Sequence, residues 1–162
     1  MLSVEEYFTG EYDPEFEYVD GELIATNIGE LRHSAVKANL VYHLAAKYRD
    51  TKKIFPSLTT KITETRFRLI DVCVTQGVPS GLYLEEPPVV AIEILSEQDR
   101  PTEFLAKLAD YAALGVSDIW VVDPTQKQMY VFENGSMVSV SGNVIASAKL
   151  NLELTREEIF DH

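Results

Sequence analysis

Asp71, Glu93 and Lys107 are the residues through which this sequence could do chemistry. Asp71 sits inside Phe67-Arg68-Leu69-Ile70-Asp71-Val72-Cys73-Val74. With the two-residue period of a strand, it shares a face with Phe67, Leu69 and Cys73, while Ile70, Val72 and Val74 line the other. Neither face is a solvated one. Glu93 has the same problem in Val89-Val90-Ala91-Ile92-Glu93-Ile94-Leu95, a run that reads as a strand buried on both sides. A carboxylate placed so deep costs several kcal/mol unless it is paired or bound to a cation. Two of them in one sheet point to a shared positive charge. That charge is either a metal ion or a basic side chain, Arg68 or Lys107, in a structural ion pair.

Lys107 adds to the metal reading. At 100° per residue, the apolar arc of its helix holds Phe104, Leu105, Leu108, Tyr111, Ala112 and Leu114. Lys107 falls inside that arc, between Tyr111 and Leu114, and Glu103 and Asp110 fall outside it. A helix that packs this arc on the sheet directs its lysine toward the carboxylates. Snorkelling, with a buried stem and the ammonium in water, is the competing account. Other polar residues carry weaker signals. Glu17 precedes a hairpin turn and reads as a solvated acid unless the fold brings it to the site. Glu22 follows that turn. His33 opens a helix, where a surface histidine is common. Asp123 before Pro124 reads as a strand-ending turn residue, and Cys73 as core packing.

The elements that must position these groups follow from periodicity and turn chemistry. A short helix spans about Ser3 to Thr9. Phe16–Val19 and Glu22–Ala25 flank Asp20-Gly21, a strong hairpin signal. From Glu30 to about Tyr48, Leu31, Ala35, Ala38, Val41, Leu44, Ala45 and Tyr48 recur at helical spacing. Strands are expected at about Ile54–Ile62 and Arg66–Thr75, turning at Glu64-Thr65. The Glu93 strand comes next. Asp99 is placed to cap the following helix, Pro101 to lie in its first turn, and Gly115 to end it. Ile119–Asp123 is a further buried strand, and two more strands pair across Asn134-Gly135. The order is strand-rich at both ends around a central β–α–β unit, so the expected class is α/β, in one domain over residues 1–162.

Composition fits this class. The 162 residues are 46% hydrophobic and 25% charged, enough for one sizeable core. No apolar run approaches the roughly 18 residues of a membrane span, and the acidic start lacks the layout of a secretory signal. A single cysteine excludes an intrachain disulfide and a cysteine-based zinc site. A cytoplasmic protein with no membrane partner is the expectation. The net charge of −12 argues against a nucleic-acid partner, but the charge is unevenly spread. Residues 1–30 hold nine acids and no lysine or arginine, whereas Arg32 to Arg68 hold nine basic residues against Asp50 and Glu64. The segment forms either a positive face or an internal counterweight to the acidic N-terminus.

The residues just weighed also fall in a familiar order. Phe16-Glu17-Tyr18-Val19-Asp20-Gly21-Glu22-Leu23 resembles the "YELVDGEL" of the Uma-type restriction endonucleases, a bacterial group in the PD-(D/E)XK nuclease superfamily. His33 stands where that group opens a helix with histidine. Arg68-Leu69-Ile70-Asp71-Val72 resembles "R-x-PDV", and Pro88 to Ser96 resembles "P-x-LVVEVLS". Lys107, Tyr111, Gly115-Val116 and Ile119 to Pro124 resemble "K-x3-Y-x3-GV-x2-YWIVDP". The resemblance runs from about residue 3 to 135. It departs from the pattern at Ile70, in place of proline, and at Ser96 to Arg100, in place of "SPST-R".

The resemblance implies a restriction-endonuclease-like mixed β-sheet core flanked by helices, with an N-terminal β-hairpin and C-terminal hairpin strands. It implies Asp71 and Glu93 as metal ligands for Mg²⁺, or Mn²⁺ in its place. Lys107 becomes a migrated catalytic lysine, since Leu95 occupies the usual position, and Glu17 an accessory acid. The implied function is metal-dependent hydrolysis of nucleic-acid phosphodiesters, DNA foremost, by a chain compatible with a homodimer. The alternative is a catalytically inactive nuclease-fold module that binds nucleic acid or a protein partner.

Overall fold

The computed structural model describes residues 1–11, 16–26 and 30–161. Ser3 caps a first helix, α1 (Val4–Thr9), through a reciprocal capping box with Glu6. A hairpin follows, β1 (Phe16–Val19) and β2 (Glu22–Ala25), closed by Asp20 and Gly21 at φ of 49° and 97°. Positive φ at both central residues is what a two-residue hairpin turn requires, hence Asp-Gly. Next come the long helix α2 (Leu31–Tyr48), then β3 (Lys53–Thr63) and β4 (Arg66–Thr75). β5 (Val90–Ile94), α3 (Pro101–Leu114) and β6 (Asp118–Asp123) form a parallel crossover. β7 (Gln128–Glu133) and β8 (Ser136–Ser139) make the Asn134-Gly135 hairpin. β9 (Val144–Ser147), β10 (Leu152–Thr155) and α4 (Arg156–Phe160) close the chain. No described helix is long and apolar enough to cross a membrane.

Eight strands form one mixed sheet, in the order β2-β1-β4-β5-β6-β7-β8 with β3 also paired to β4. β3 covers β4 along its whole length, so β1 and β5 must share the other edge of β4. β1 pairs there with Arg66 and Phe67, and β5 pairs with Val72, Cys73 and Val74. Residues 68–71 therefore face a gap between two strands, and the polar site is built in that gap. The simple alternation expected through β4 also fails here. Ile70 packs in the α3-side cluster with Cys73 and Ala91, while Val72 and Val74 belong to the α2-side cluster. The pairing with β3 skips Asp71 and resumes in the same register, with Ser57 opposite it at a φ of 50°.

Two helices cover opposite faces. α2 buries His33, Val36, Leu40 and Leu44, a stripe that has only Leu44 in common with the one expected. Leu31 is exposed and Ala35, Ala38 and Ala45 contribute little, because turning the larger Val36 and Leu40 inward beside Leu44 removes more apolar area from water. β9, β10 and α4 supply Ile145, Leu152, Leu154, Ile159 and Phe160 to the same core. On the other face, α3 buries Phe104, Leu108, Asp110 and Tyr111, leaving Leu105 and Ala112 exposed. Gly115 ends α3 in the left-handed region, as expected, but Asp99 does not cap it. Its carboxylate accepts the N–H of Ser96 instead, tying up the preceding loop.

Candidate active site

The gap along β4 leaves backbone groups of Leu69 without a strand to pair with, and charged side chains take their place. Glu17 on β1 accepts the Leu69 N–H at 2.9 Å, and the Lys107 ammonium donates to the Leu69 carbonyl at 2.9 Å. Those two side chains also meet each other, Lys107 Nζ lying 2.8 Å from Glu17 Oε1. Lys107 lies 3.0 Å from Glu93 Oε2 as well, and Tyr111, one turn further along α3, donates its hydroxyl to Glu93 Oε1 at 2.6 Å. The i, i+4 spacing of Lys107 and Tyr111 puts both above β5. Lys107 is thus committed to the carboxylate layer and does not snorkel.

Asp71 lies where the β4–β5 ladder stops. Val72 pairs with Ile92, so the same register carries Asp71 opposite Glu93. The Asp71 carboxylate accepts the Ile94 N–H at 2.9 Å in place of a ladder bond. His33 Nε2 lies 3.2 Å from Asp71 Oδ2, and Lys37 Nζ lies 3.3 Å from Oδ1. Behind these groups a second tier is fixed. Arg68 donates to Glu17 at 3.0 Å and to Asp110 at 2.7 and 2.8 Å, and Arg66 reaches Asp110 and Asp20. Glu17, Asp71, Glu93, His33, Lys37, Arg68 and Lys107 all line one polar cleft of about 530 Å³.

Burial acts first on the proton affinities. It raises the Glu93 carboxyl well above its ordinary value; the charges of Asp71 and Glu17 add to this, and Lys107 and the Tyr111 hydroxyl only partly offset it. Asp71 goes the other way. Burial would raise it, but the His33 hydrogen bond and the charges of Lys107, His33 and Lys37 hold it well below the usual range. Burial works to lower the proton affinity of Lys107, yet the charges of Glu17, Glu93 and Asp71 outweigh it and raise that affinity well above its ordinary value. Two carboxyls with opposite displacements around one locked ammonium are a differentiated arrangement, and such arrangements gather at functional sites.

The sequence placed several of these residues differently. Glu17, read as solvated unless the fold intervened, is 3% exposed and anchors Lys107. His33, read as a surface residue, is 4% exposed and faces Asp71. Asp110, read as outside the apolar arc, is buried between two arginines. A signal for it existed: Arg66 and Arg68 stand two apart on one strand, so they share a face and call for an acid opposite. Glu22 is an exposed residue of the cleft wall. Asp123 turns the chain by accepting the N–H groups of Thr125 and Gln126. Cys73 is a fully buried core residue, its thiol pushed up to about 12 by burial and by Glu93. Five of the nine basic residues between Arg32 and Arg68 (Lys37, Lys47, Lys61, Arg66 and Arg68) are engaged by carboxylates, but only Arg66 and Arg68 pair with acids of the N-terminal thirty residues, Asp20 and Glu17.

The fold is shared with a solved structure, "Crystal structure of a putative nuclease belonging to DUF820 from Anabaena variabilis ATCC 29413". That chain is 18% identical, with a TM-score of 0.82 over 99% of this chain and 98% of its own. No curated protein matches the sequence. A family model does, over residues 4–157, so the chain belongs to the Uma2 family, described as "Putative restriction endonuclease".

Proposed function

We propose that the protein is a metal-dependent endonuclease that hydrolyses nucleic-acid phosphodiester bonds, DNA foremost, with Asp71 and Glu93 as metal ligands. The observation that carries this reading is the Lys107 ammonium fixed between Glu17 and Glu93 in the cleft that Asp71 also lines. Among the described residues no three His, Cys, Asp or Glu side chains are gathered into a ready-made metal cage. The donor chemistry nevertheless fits a hard cation. Asp71 and Glu93 offer only oxygens, and ionised carboxylate oxygens have lone pairs beyond the partners they already hold. Mg²⁺ takes one or two carboxylates and keeps several waters, and Mn²⁺ accepts the same donors.

When bound, such a cation supplies Lewis acidity, lowering the pKa of a water and polarising the phosphoryl group. The chain's own residues do the rest. Glu93, oriented by the Tyr111 hydroxyl, and Asp71, oriented by the Ile94 N–H, present fixed carboxylates to the cleft. Glu17, Glu93 and the Leu69 carbonyl take all three N–H donors of Lys107, so its ammonium acts through its fixed positive charge, stabilising the charge that grows on the phosphate oxygens. Glu17 and the Leu69 carbonyl hold that ammonium in place before substrate arrives, so little reorganisation remains.

Glu93→Gln tests the assignment. The variant keeps the shape and one acceptor oxygen but loses the ligand charge, so Mg²⁺-dependent cleavage of plasmid DNA should fall by on the order of 100-fold with the circular-dichroism spectrum unchanged. Parental cleavage in the variant refutes the mechanism. A second reading, a non-catalytic module of the same fold, is favoured by one observation: every oxygen of Asp71 and Glu93 already has a partner in the chain. Thermal melting separates the two. A functional pair gains stability with Mg²⁺ or Mn²⁺ because the ion binds only the folded state, whereas a purely structural ion pair gains none.

A further inference from the structure

Lys37 follows His33 by one turn of α2 and lines the same cleft, with its ammonium 3.3 Å from Asp71 Oδ1 and 3.0 Å from Ser57 Oγ. The other cations of the cleft are differently committed. Arg68 is wedged between Glu17 and Asp110. Lys107 has three acceptors within 3.0 Å, its side chain 15% exposed. Arg100 is 80% exposed, with Glu103 at 3.9 Å as its ion-pair partner. Lys37 lies between these extremes: 24% exposed, it pairs with one carboxylate at a long distance. It is anchored enough to be aimed and loose enough to change partner. Asp71 does not depend on it, since the Ile94 N–H and His33 also engage that carboxylate.

Ser57 is the second observation. It stands opposite Asp71 in β3, where the pairing with β4 is interrupted, at a φ of 50°. The left-handed region is uncommon for a residue with a side chain and persists where the surroundings enforce it. The consequence is a hydroxyl beside the Lys37 ammonium. Because Ser57 Oγ accepts from Lys37, its own hydrogen is free to donate onward. An ammonium and a hydroxyl donor side by side suit an anionic oxygen. Lys37 comes from the helix on the opposite face of the sheet from Lys107, so an anion it holds lies on the other wall of the cleft.

We infer that Lys37 and Ser57 form a phosphate-binding site, taking a backbone phosphate of the nucleic-acid strand that enters the cleft. This rests on the nuclease reading, which gives neither residue a role. On binding, Lys37 exchanges Asp71 for a phosphate oxygen and Ser57 turns its hydrogen to the same group.

Fluorescence anisotropy of a short fluorescein-labelled DNA duplex, with EDTA and across a NaCl series, tests it on the full chain. Lys37→Met should bind several-fold more weakly, and the slope of log affinity against log salt should become shallower by about 0.9, one phosphate contact. Lys37→Arg should keep the parental slope, and Ser57→Ala should weaken binding with the slope unchanged. Lys37→Gln replaces the methionine variant if that one does not fold. If the neutral variants bind with the parental affinity and slope, this site is overturned and the nuclease reading stands. Equal losses in the Met and Arg variants also overturn it, since charge is then not what matters. A parent chain that does not bind the duplex overturns both.

Discussion

On the α2 face of the sheet, Val36, Leu40 and Leu44 pack against Val72, Val74, Ile92, Ile94 and Trp120, and the C-terminal strands close over them with more hydrocarbon. At the β1 end of the α3 face, the equivalent depth is occupied by Glu17, Arg68, Glu93 and Asp110, with Lys107 and Tyr111 reaching in among them. The two regions are bound by different forces. Hydrocarbon contact is non-directional and scales with area. A buried ion network works only with good geometry, and against the cost of removing each charge from water it contributes little net stability. A chain that could have filled the β4 gap with leucine has instead kept six polar groups there. Buried ionic networks of this kind are concentrated at functional sites, though structural networks share the same features.

One substitution in each region separates the two forces. Glu17→Ala should have the larger effect. It strands the Leu69 N–H, leaves Arg68 with Asp110 alone and takes one of two carboxylates from Lys107. Removing one partner of a buried pair costs about 3–5 kcal/mol, so with two pairs and a backbone N–H affected a loss of about 4 kcal/mol is expected from urea unfolding. Leu40→Ala, in a fully buried position, should cost about 3 kcal/mol as lost transfer energy plus a cavity. If Leu40→Ala costs more than Glu17→Ala, the ionic network is loosely held and the contrast drawn here fails.

The two regions also differ in how far they can be read from sequence. Strand and turn positions follow from turn chemistry and patterning in both regions: Asp20-Gly21 and Asn134-Gly135 close hairpins, and the expected strand Val89–Leu95 forms over Val90–Ile94. On the apolar side α2 offers two helical stripes that share Leu44, and only the relative size of Val36 and Leu40 against Ala35, Ala38 and Ala45 shows which one turns inward. In the polar region, Asp71, Glu93 and Lys107 stand out because each is a charge in an apolar context. Glu17 and His33 do not, since a four-residue strand and an ordinary helix position give no sign of what will pack over them, and Asp110 is signalled only indirectly, by the paired Arg66 and Arg68. Their burial is decided by the gap between β1 and β5, a tertiary feature with no local signature. The C-terminal β9, β10 and α4 carry short alternating patterns of four or five residues, too brief to announce a core contribution.

A smaller effect sharpens the same contrast, and its sign can be worked out in advance. Burial holds the Glu93 carboxyl above its ordinary value. Between the unfolded value of about 4.3 and the higher folded one, the unfolded chain has released the proton and the folded chain has kept it. Stability in that window therefore falls as pH rises. Glutamine has no proton to release, so Glu93→Gln lacks this fall. Asp71, displaced downward, acts below the window: its contribution is lost as pH drops beneath the ordinary carboxyl range, and it does so in both proteins. In EDTA, the stability of Glu93→Gln relative to the parent should climb from about pH 4 and level off once the folded carboxyl has ionised. Urea midpoints measured across that range give the curve. A difference that stays flat would mean that Glu93 is already ionised against Lys107 throughout, and the carboxylate layer would then be a settled salt bridge with no charge held in reserve for a ligand.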